Sequence, residues 1–379
     1  MSQYPRRRTS PLRATANGIS MLSVSELNPR FGEPGQRQYI TCPENSWAFT
    51  DLASAMNIGL EILESPPGRG VLVRLASQLI EIWNVRHEPC FRGGPNQLAE
   101  HVNTFLSAIR NDFYTVAIDD LGSPAVLAAS DRRLGVWNGD LRSYSPKGHA
   151  IILYNHRRVR DMVNASAAVD RIDRGRDSSA ARAQRRKMLL RHKHFQFMFA
   201  TATAHEICHI FLGFISQQGR HGRLATPPSI THLDYGRGQP GDIDGLAQGE
   251  SGRWVESKLF GGSLEFYQDR DDDDGQPGVL YILDSNEVAH KVRSQSILDF
   301  VELDRRFEFP LATTGPGLTR RQRDQQQLYS IGSTQAAPYR ADYLLMRARP
   351  ERMQFFNISR QELDSVPDRP RIVRAVRVA

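Results

Sequence analysis

The chain is poor in cysteine, with three in 379 residues. Cys42, Cys90 and Cys208 are an odd set whose spacing fits neither a disulfide framework nor a zinc ribbon, which excludes small disulfide-stapled folds and cysteine-rich metal knuckles. Free thiols suit a reducing compartment, so a cytoplasmic location is expected. Long apolar runs are also missing. None reaches the roughly 18 residues of a membrane-spanning helix, and no membrane association is expected. The start, Met1 to Arg13, carries arginines without an apolar h-region, so no secretory signal is expected. The absence of acids before Glu26 keeps a mitochondrial presequence as a minor alternative, against which Pro5 and Pro11 argue by breaking the amphipathic helix it needs. No internal repeat is found.

What is present is ordinary globular material: 40% hydrophobic and 24% charged residues, with a net charge of +7 spread unevenly. The length supports one large domain or two. Residues 1–38 are rich in Arg, Ser, Pro and Gly and read as a disordered basic tail. Residues 39–315 are expected to form the body, with order beginning near Tyr39. Ser46 is placed to cap a helix through Ala53, Ile58 and Ile62 that ends before Pro66-Pro67. Val71, Leu72, Leu75, Leu79, Ile80 and Trp83 recur at helical spacing. Asn96 to Ile109 reads as a third helix with His101 on its surface.

Short strands are expected at 114–118 and 125–128, and a firmer one at 150–154, where branched residues favour the pleat. The last is expected at the rim of a cleft, where a sheet edge can add an extended peptide. Arg171 to His194 is basic through Arg174, Arg176, Arg182, Arg185, Arg186, Lys187, Arg191 and Lys193. It reads as a solvated loop leading into first helical turns. A nucleic-acid surface is the competing reading, without the aromatic interleaving that stacking requires. Residues 216–248 are loop-like and suited to covering a cleft. Asp269 to Gly275 is acidic but lacks the alternating spacing and closing Glu of a calcium loop, so a solvated loop is expected. A strand at 279–283 and a helix near 296–302 follow. Residues 316–379 read as a C-terminal extension, docked in part through Tyr339 to Met346 and ending in a flexible tail.

The chain is organised around Thr201 to Ile215, TATAHEICHIFLGFI, which contains His205-Glu206-Ile207-Cys208-His209. Positions four apart share one face of a helix, so His205 and His209 can aim two imidazole nitrogens at one ion about 2.0–2.1 Å away. Phe195, Phe197, Met198, Phe199, Ile207, Ile210, Phe211, Leu212, Phe214 and Ile215 make this helix, about 195–215, apolar all round and therefore buried. Buried imidazoles and a carboxylate without partners would each cost roughly 1–3 kcal/mol. A metal ion removes much of that cost. The bland alternative is a core helix whose histidines bond backbone carbonyls. Cys208, between them, reads as packing.

A catalytic zinc needs a third protein ligand and an open position. Leu212 and Ile215 stand where the extended H-E-x-x-H-x-x-G-x-x-H pattern needs Gly and His. The ligand is therefore sought downstream, in a helix at about 249–260 ended by Gly261-Gly262. Glu250 leads, because small Ser251 and Gly252 allow close helix approach. Glu256 is the alternative, and the loser is expected to bond a ligand histidine or pair with Arg253. His221, His232 and Asp234 are outside candidates in the preceding loop.

His205-Glu206-x-x-His209 followed by a helix carrying Glu250, with uncharged Thr203, Ile207, Cys208 and Ile210 and apolar Phe211 around it, resembles the gluzincin-type zinc metallopeptidases of the zincin group. The stretch after Gly249 departs from thermolysin relatives, lacking their Asn-Glu and trailing Asp. The resemblance implies an α+β, zincin-like domain, mostly helical, with a small mixed sheet whose edge strand flanks the active-site cleft. It implies one zinc ion, a peptide or protein substrate, Glu206 as general base, and an oxyanion donor for which Arg253, His232 and Tyr235 are candidates. The competing classes are a non-catalytic zincin-fold binding or structural protein, against which intact Glu206 argues, and a nucleic-acid-binding protein using Arg171 to Lys193.

Overall fold

In the computed structural model, residues 18–24, 39–44, 46–86, 91, 93–121, 123, 125–132, 140–173, 178–216, 226–233, 249–302 and 304–333 are described. Among them, two five-stranded sheets and a set of helices form a mixed α/β protein around one dominant apolar core.

The first sheet begins earlier than expected. β1 (Ser20–Val24) lies inside the stretch read as a tail, yet it pairs antiparallel with β2 (Tyr39–Thr41) and parallel with β3 (Thr115–Asp119). Met21 and Leu22 are buried on its two faces. The surrounding Arg and Pro composition masked this five-residue strand. α1 (Trp47–Glu64) starts where the sequence places it, with Ser46 Oγ accepting the Phe49 N–H. α2 (Pro66–Val85) follows through the Ser65 cap, and α3 (Leu98–Asn111) completes the first helical layer. His101 is buried on α3 rather than superficial: its Nδ1 meets the Gln97 carbonyl at 2.8 Å and its ring packs edge-on to Phe91.

β4 (Ala128–Arg132) starts where the expected 125–128 strand ends, and after the short α4 (Pro146–His149) comes β5 (Ala150–Asn155). The sheet order is β2-β1-β3-β5-β4, parallel at β1-β3-β5 and antiparallel at both ends. β5 is therefore interior, not the rim strand; β4 is the edge. Side chains alternate along β5 as a pleat requires: Ile152 and Tyr154 join the main core, Ile151 and Leu153 a smaller cluster on the other face.

Residues 171–173 and 179–194 of the basic stretch are helical. α5 (His156–Asp173) leads to α6 (Ser179–Ile215), 37 residues long, with Ser178 capping through the Ala181 N–H. Contrary to the expectation that no run is long enough, one window of α6 is long and apolar enough to cross a membrane, but 89% of that window is buried inside the protein. α6 is the central beam of the fold, flanked by α1, α5 and β4. Each fully buried Phe or Leu on it contributes roughly 1.5–3 kcal/mol.

α7 (Ser251–Phe260) packs on α6 and ends at Gly261, whose φ of 93° is the left-handed helix stop. A second, wholly antiparallel sheet follows, which the sequence reading did not anticipate beyond one strand. It comprises β6 (Ser263–Tyr267), β7 (Val279–Leu283), β8 (Ala289–Val292), β9 (Thr313–Leu318) and β10 (Ser330–Ser333), in the order β10-β6-β7-β8-β9. α8 (Ser294–Val301) and α9 (Arg320–Gln325) lie within it. The boundary placed at 315/316 falls inside β9, and residues to 333 belong to the sheet rather than to an extension. The segment Tyr339 to Met346 lies outside the described residues.

The acidic 269–275 stretch is not merely solvated. Asp272 accepts Lys187 at 2.7 Å and Arg191 at 2.6 Å, and Arg191 also reaches Asp273. Gln276 closes the loop by donating to the Asp269 and Asp272 carbonyls. Opposite charges thus tie the second sheet to α6.

Candidate metal centre

α6 sets His205 and His209 one turn apart, and α7 brings Glu250 to them. The approach to α7 is fixed by backbone: Gly249 N–H donates to Thr226 O at 2.9 Å and Glu250 N–H to Ile230 O at 2.7 Å. Glu250 is the N-cap, its Oε2 accepting the Arg253 N–H at 2.8 Å. Gly252, two residues later, faces the His205 ring: a Cβ there would lie 2.5 Å from ring Cγ, Cδ2 and Cε1. Only a bare backbone lets the helices come this close.

The ligand-type atoms of His205, His209 and Glu250 all lie within 4.8 Å of one another, a set that could hold a metal ion. His205 Nε2 and His209 Nε2 are 3.1 Å apart, Glu250 Oε2 is 3.3 Å from His205 Nε2, and Glu250 Oε1 contacts His209 Nε2. The far nitrogens are tied back. His205 Nδ1 is 2.7 Å from Glu256 Oε1, and His209 Nδ1 is 3.0 Å from Ser251 Oγ. A carboxylate accepts only, so His205 Nδ1 carries the proton and, in the neutral ring, Nε2 presents a lone pair.

Three acceptors converging in this way repel unless a cation or proton sits among them. Tetrahedral zinc with ligands at about 2.05 Å would separate two nitrogens by about 3.3 Å, close to the spacing observed. Without an ion, burial opposes charging His205, but Glu250 and Glu256 outweigh it and raise its pKa well above the ordinary value. Burial likewise disfavours ionised Glu250, and the two imidazoles overcome it, holding its pKa well below the carboxylate range.

Glu206 follows His205 on α6, is 6% exposed, and makes no hydrogen bond or ion pair among the described residues. Its charge reinforces burial in pushing up the pKa of Tyr154, whose hydroxyl contacts Thr203 Oγ1 at 2.7 Å. Since Thr203 Oγ1 already donates to Phe199 O at 2.6 Å, Tyr154 is the donor, and β5 is pinned to α6 one turn before the glutamate.

The choice between the two downstream acids is thus Glu250 at the cluster and Glu256 behind it. Of the named oxyanion donors, Arg253 and His232 hold partners outside the cluster. Arg253 is fully buried and donates to Glu265 Oε1 at 3.0 Å, toward the second sheet. His232 Nε2 meets Leu283 O at 3.0 Å. Tyr235, Asp234 and His221 lie outside the described residues. The support of His209 by Ser251 was missed: Ser251 was read only as small, although a hydroxyl beside a ligand glutamate is a signal for it. Of the basic stretch, Lys187 and Arg191 are engaged by the acidic loop and Lys193 by Glu302 at 2.7 Å. Cys42 and Cys208 are buried free thiols; Cys90 lies outside the described residues.

In comparison with known proteins, no family model, no curated protein and no solved structure matches the chain.

Proposed function

We propose that the chain is a zinc-dependent metallohydrolase of zincin-like, gluzincin type that cleaves peptide bonds. One observation carries the reading: two Nε2 atoms and a carboxylate from separate helices converge, while both Nδ1 atoms are held from behind by Glu256 and Ser251. A core helix with incidental histidines has no use for such backing. His205, His209 and Glu250 would hold one zinc ion. Bound there, zinc supplies Lewis-acid polarisation of a carbonyl and acidifies water. Glu206 accepts the proton of the attacking water on its carboxylate and delivers it to the leaving nitrogen. Its lack of protein partners among the described residues leaves it available for that exchange. β4, the edge strand beside α6, supplies backbone for an extended substrate. A peptide in the cytoplasm is the substrate this reading favours.

The test is metal content with turnover. The purified protein should carry one zinc per chain and cleave members of a mixed peptide library. Glu206→Gln should keep the zinc and lose at least about a hundredfold in kcat. A protein that ignores added zinc, or a variant with full activity, would falsify the assignment.

A further inference from the structure

We infer that the two histidines of the centre have unequal duties. His205 is the fixed anchor for the ion and His209 is the ligand that yields, with Ser251 as the positioning residue that sets how fast zinc exchanges. The inference rests on the metallohydrolase reading above and adds the route and control of metal exchange.

Each ring is held at both nitrogens, but by different chemistry. His205 sits between Glu250 Oε2, 3.3 Å from its Nε2, and Glu256 Oε1, 2.7 Å from its Nδ1. The support behind it is a carboxylate, and a charge-assisted hydrogen bond is roughly twice as strong as a neutral one. Glu256 is itself fixed, its other oxygen accepting the Leu264 N–H at 3.0 Å. His209 is gripped instead by two consecutive residues at the start of α7. Glu250 Oε1 contacts its Nε2, and Ser251 Oγ lies 3.0 Å from its Nδ1. The support here is a neutral hydroxyl, which holds an imidazole less firmly and makes it a weaker ligand.

Burial divides the pair in the same sense. The His205 side chain is 0% exposed and that of Glu256 3%, against 24% for His209 and 19% for Glu250. Solvent therefore reaches the cluster from the His209 side and not from the His205 side. Replacement of a ligand by water, the first step in losing an ion, starts at His209. The first turn of α7 decides when. Gly249 and Glu250 hang by their N–H groups on the Thr226 and Ile230 carbonyls, and a Cβ at 249 would collide with the Pro227 carbonyl oxygen. When that turn loosens, Glu250 and Ser251 leave His209 together. Glu256, deeper in α7 and tied to β6, still holds His205.

The test follows zinc, not turnover. Zinc-loaded full-length protein is mixed with excess chromophoric chelator, and the release rate is read by stopped flow. Ser251 is fully buried, and Ser251→Ala removes its hydroxyl without adding volume. Release should quicken about tenfold or more, as for other residues that orient ligand histidines. Ser251→Thr restores a hydroxyl and should return the rate to within about threefold of wild type. The Tm of each metal-free variant checks that it folds. The division of duties is read by chemical rescue. Free imidazole should reach the partly exposed gap in His209→Ala and raise its zinc affinity about tenfold or more, while the sealed gap in His205→Ala should not respond. If His205→Ala does not fold, the Ser251 rates and the His209→Ala rescue decide. Zinc uptake with an unchanged release rate in Ser251→Ala, or no rescue of His209→Ala, overturns the inference and leaves the hydrolase reading standing. A protein that takes up no zinc overturns both.

Discussion

Glu256 Oε1 lies 2.7 Å from His205 Nδ1, while the other oxygen of the same carboxylate accepts the Leu264 N–H at 3.0 Å. One side chain therefore orients an imidazole of α6 and anchors the first strand of the second sheet. Glu256→Gln preserves the shape and removes the charge that holds the proton on Nδ1. Zinc affinity should fall about 10- to 100-fold, as for other residues that orient ligand histidines. Competition against a chromophoric chelator measures it; an unchanged Kd would show that the contact is incidental.

Gly252 and Gly70 make a matched pair. An added methyl at Gly252 would sit 2.5 Å from three atoms of the buried His205 ring, whereas one at Gly70 meets nothing within 4 Å. Gly252→Ala should cost about 1–3 kcal/mol of stability through overpacking and lower zinc occupancy. Gly70→Ala, within α2, should stabilise by about 0.5–1 kcal/mol. Urea unfolding of both proteins is the measurement. Equal effects would mean that α7 does not press on the imidazole.

Metal removal should be visible in stability. Zinc at a hundred times its Kd contributes about 2.7 kcal/mol, so chelation should lower Tm. Glu250 also caps α7 through the Arg253 N–H. Glu250→Ala should lose the zinc response and about 0.5–2 kcal/mol of cap besides. Glu250→Asp can still cap but reaches less far, so it should lose the zinc response and keep most of the apo stability. Calorimetry with and without zinc distinguishes the two losses, and a Tm indifferent to chelation in the wild type refutes the coupling.

Acid should weaken the fold in a window set by His194. Burial pulls its pKa down to about 4. An unfolded imidazole titrates near 6.5, so on acidification the unfolded chain takes up the proton first. Stability is therefore full above about pH 6.5 and declines between there and pH 4. Glu or Asp groups add their own slopes below that, so the difference between wild type and His194→Gln isolates this one. At lower pH, the hydrogen bond from Arg191 holds Asp273 down to about 2. The Arg191–Asp273 contact should accordingly survive acidification below pH 4 and release only as pH approaches 2. Hydrogen exchange across residues 269–276 at stepped pH reads that release; loss of protection already at pH 5 would contradict it.

Local rules determined a good deal of this protein. The cap at Ser46, the apolar periodicity of α2 and the branched run of β5 are decided within a few residues, and they appear where composition and spacing put them. His205, Glu206 and His209 were legible because helix geometry alone fixes their relative directions. The order of the strands was not. β5 is as apolar as a rim or an interior strand can be, and only its pairing with β3 on one side and β4 on the other makes it interior. β1 was hidden in a basic stretch because its hydrogen bonds are made to partners 15 to 95 residues away. Sequence ranks Glu250 ahead of Glu256 on the size of its neighbours alone, since both belong to a helix that had to dock on α6 before their depth had meaning. The turn at Gly249 and the bare face of Gly252 decided that docking. Chain chemistry within one turn is set by bonds and sterics, whereas which acid meets which imidazole depends on how two helices distant in sequence come to rest against each other.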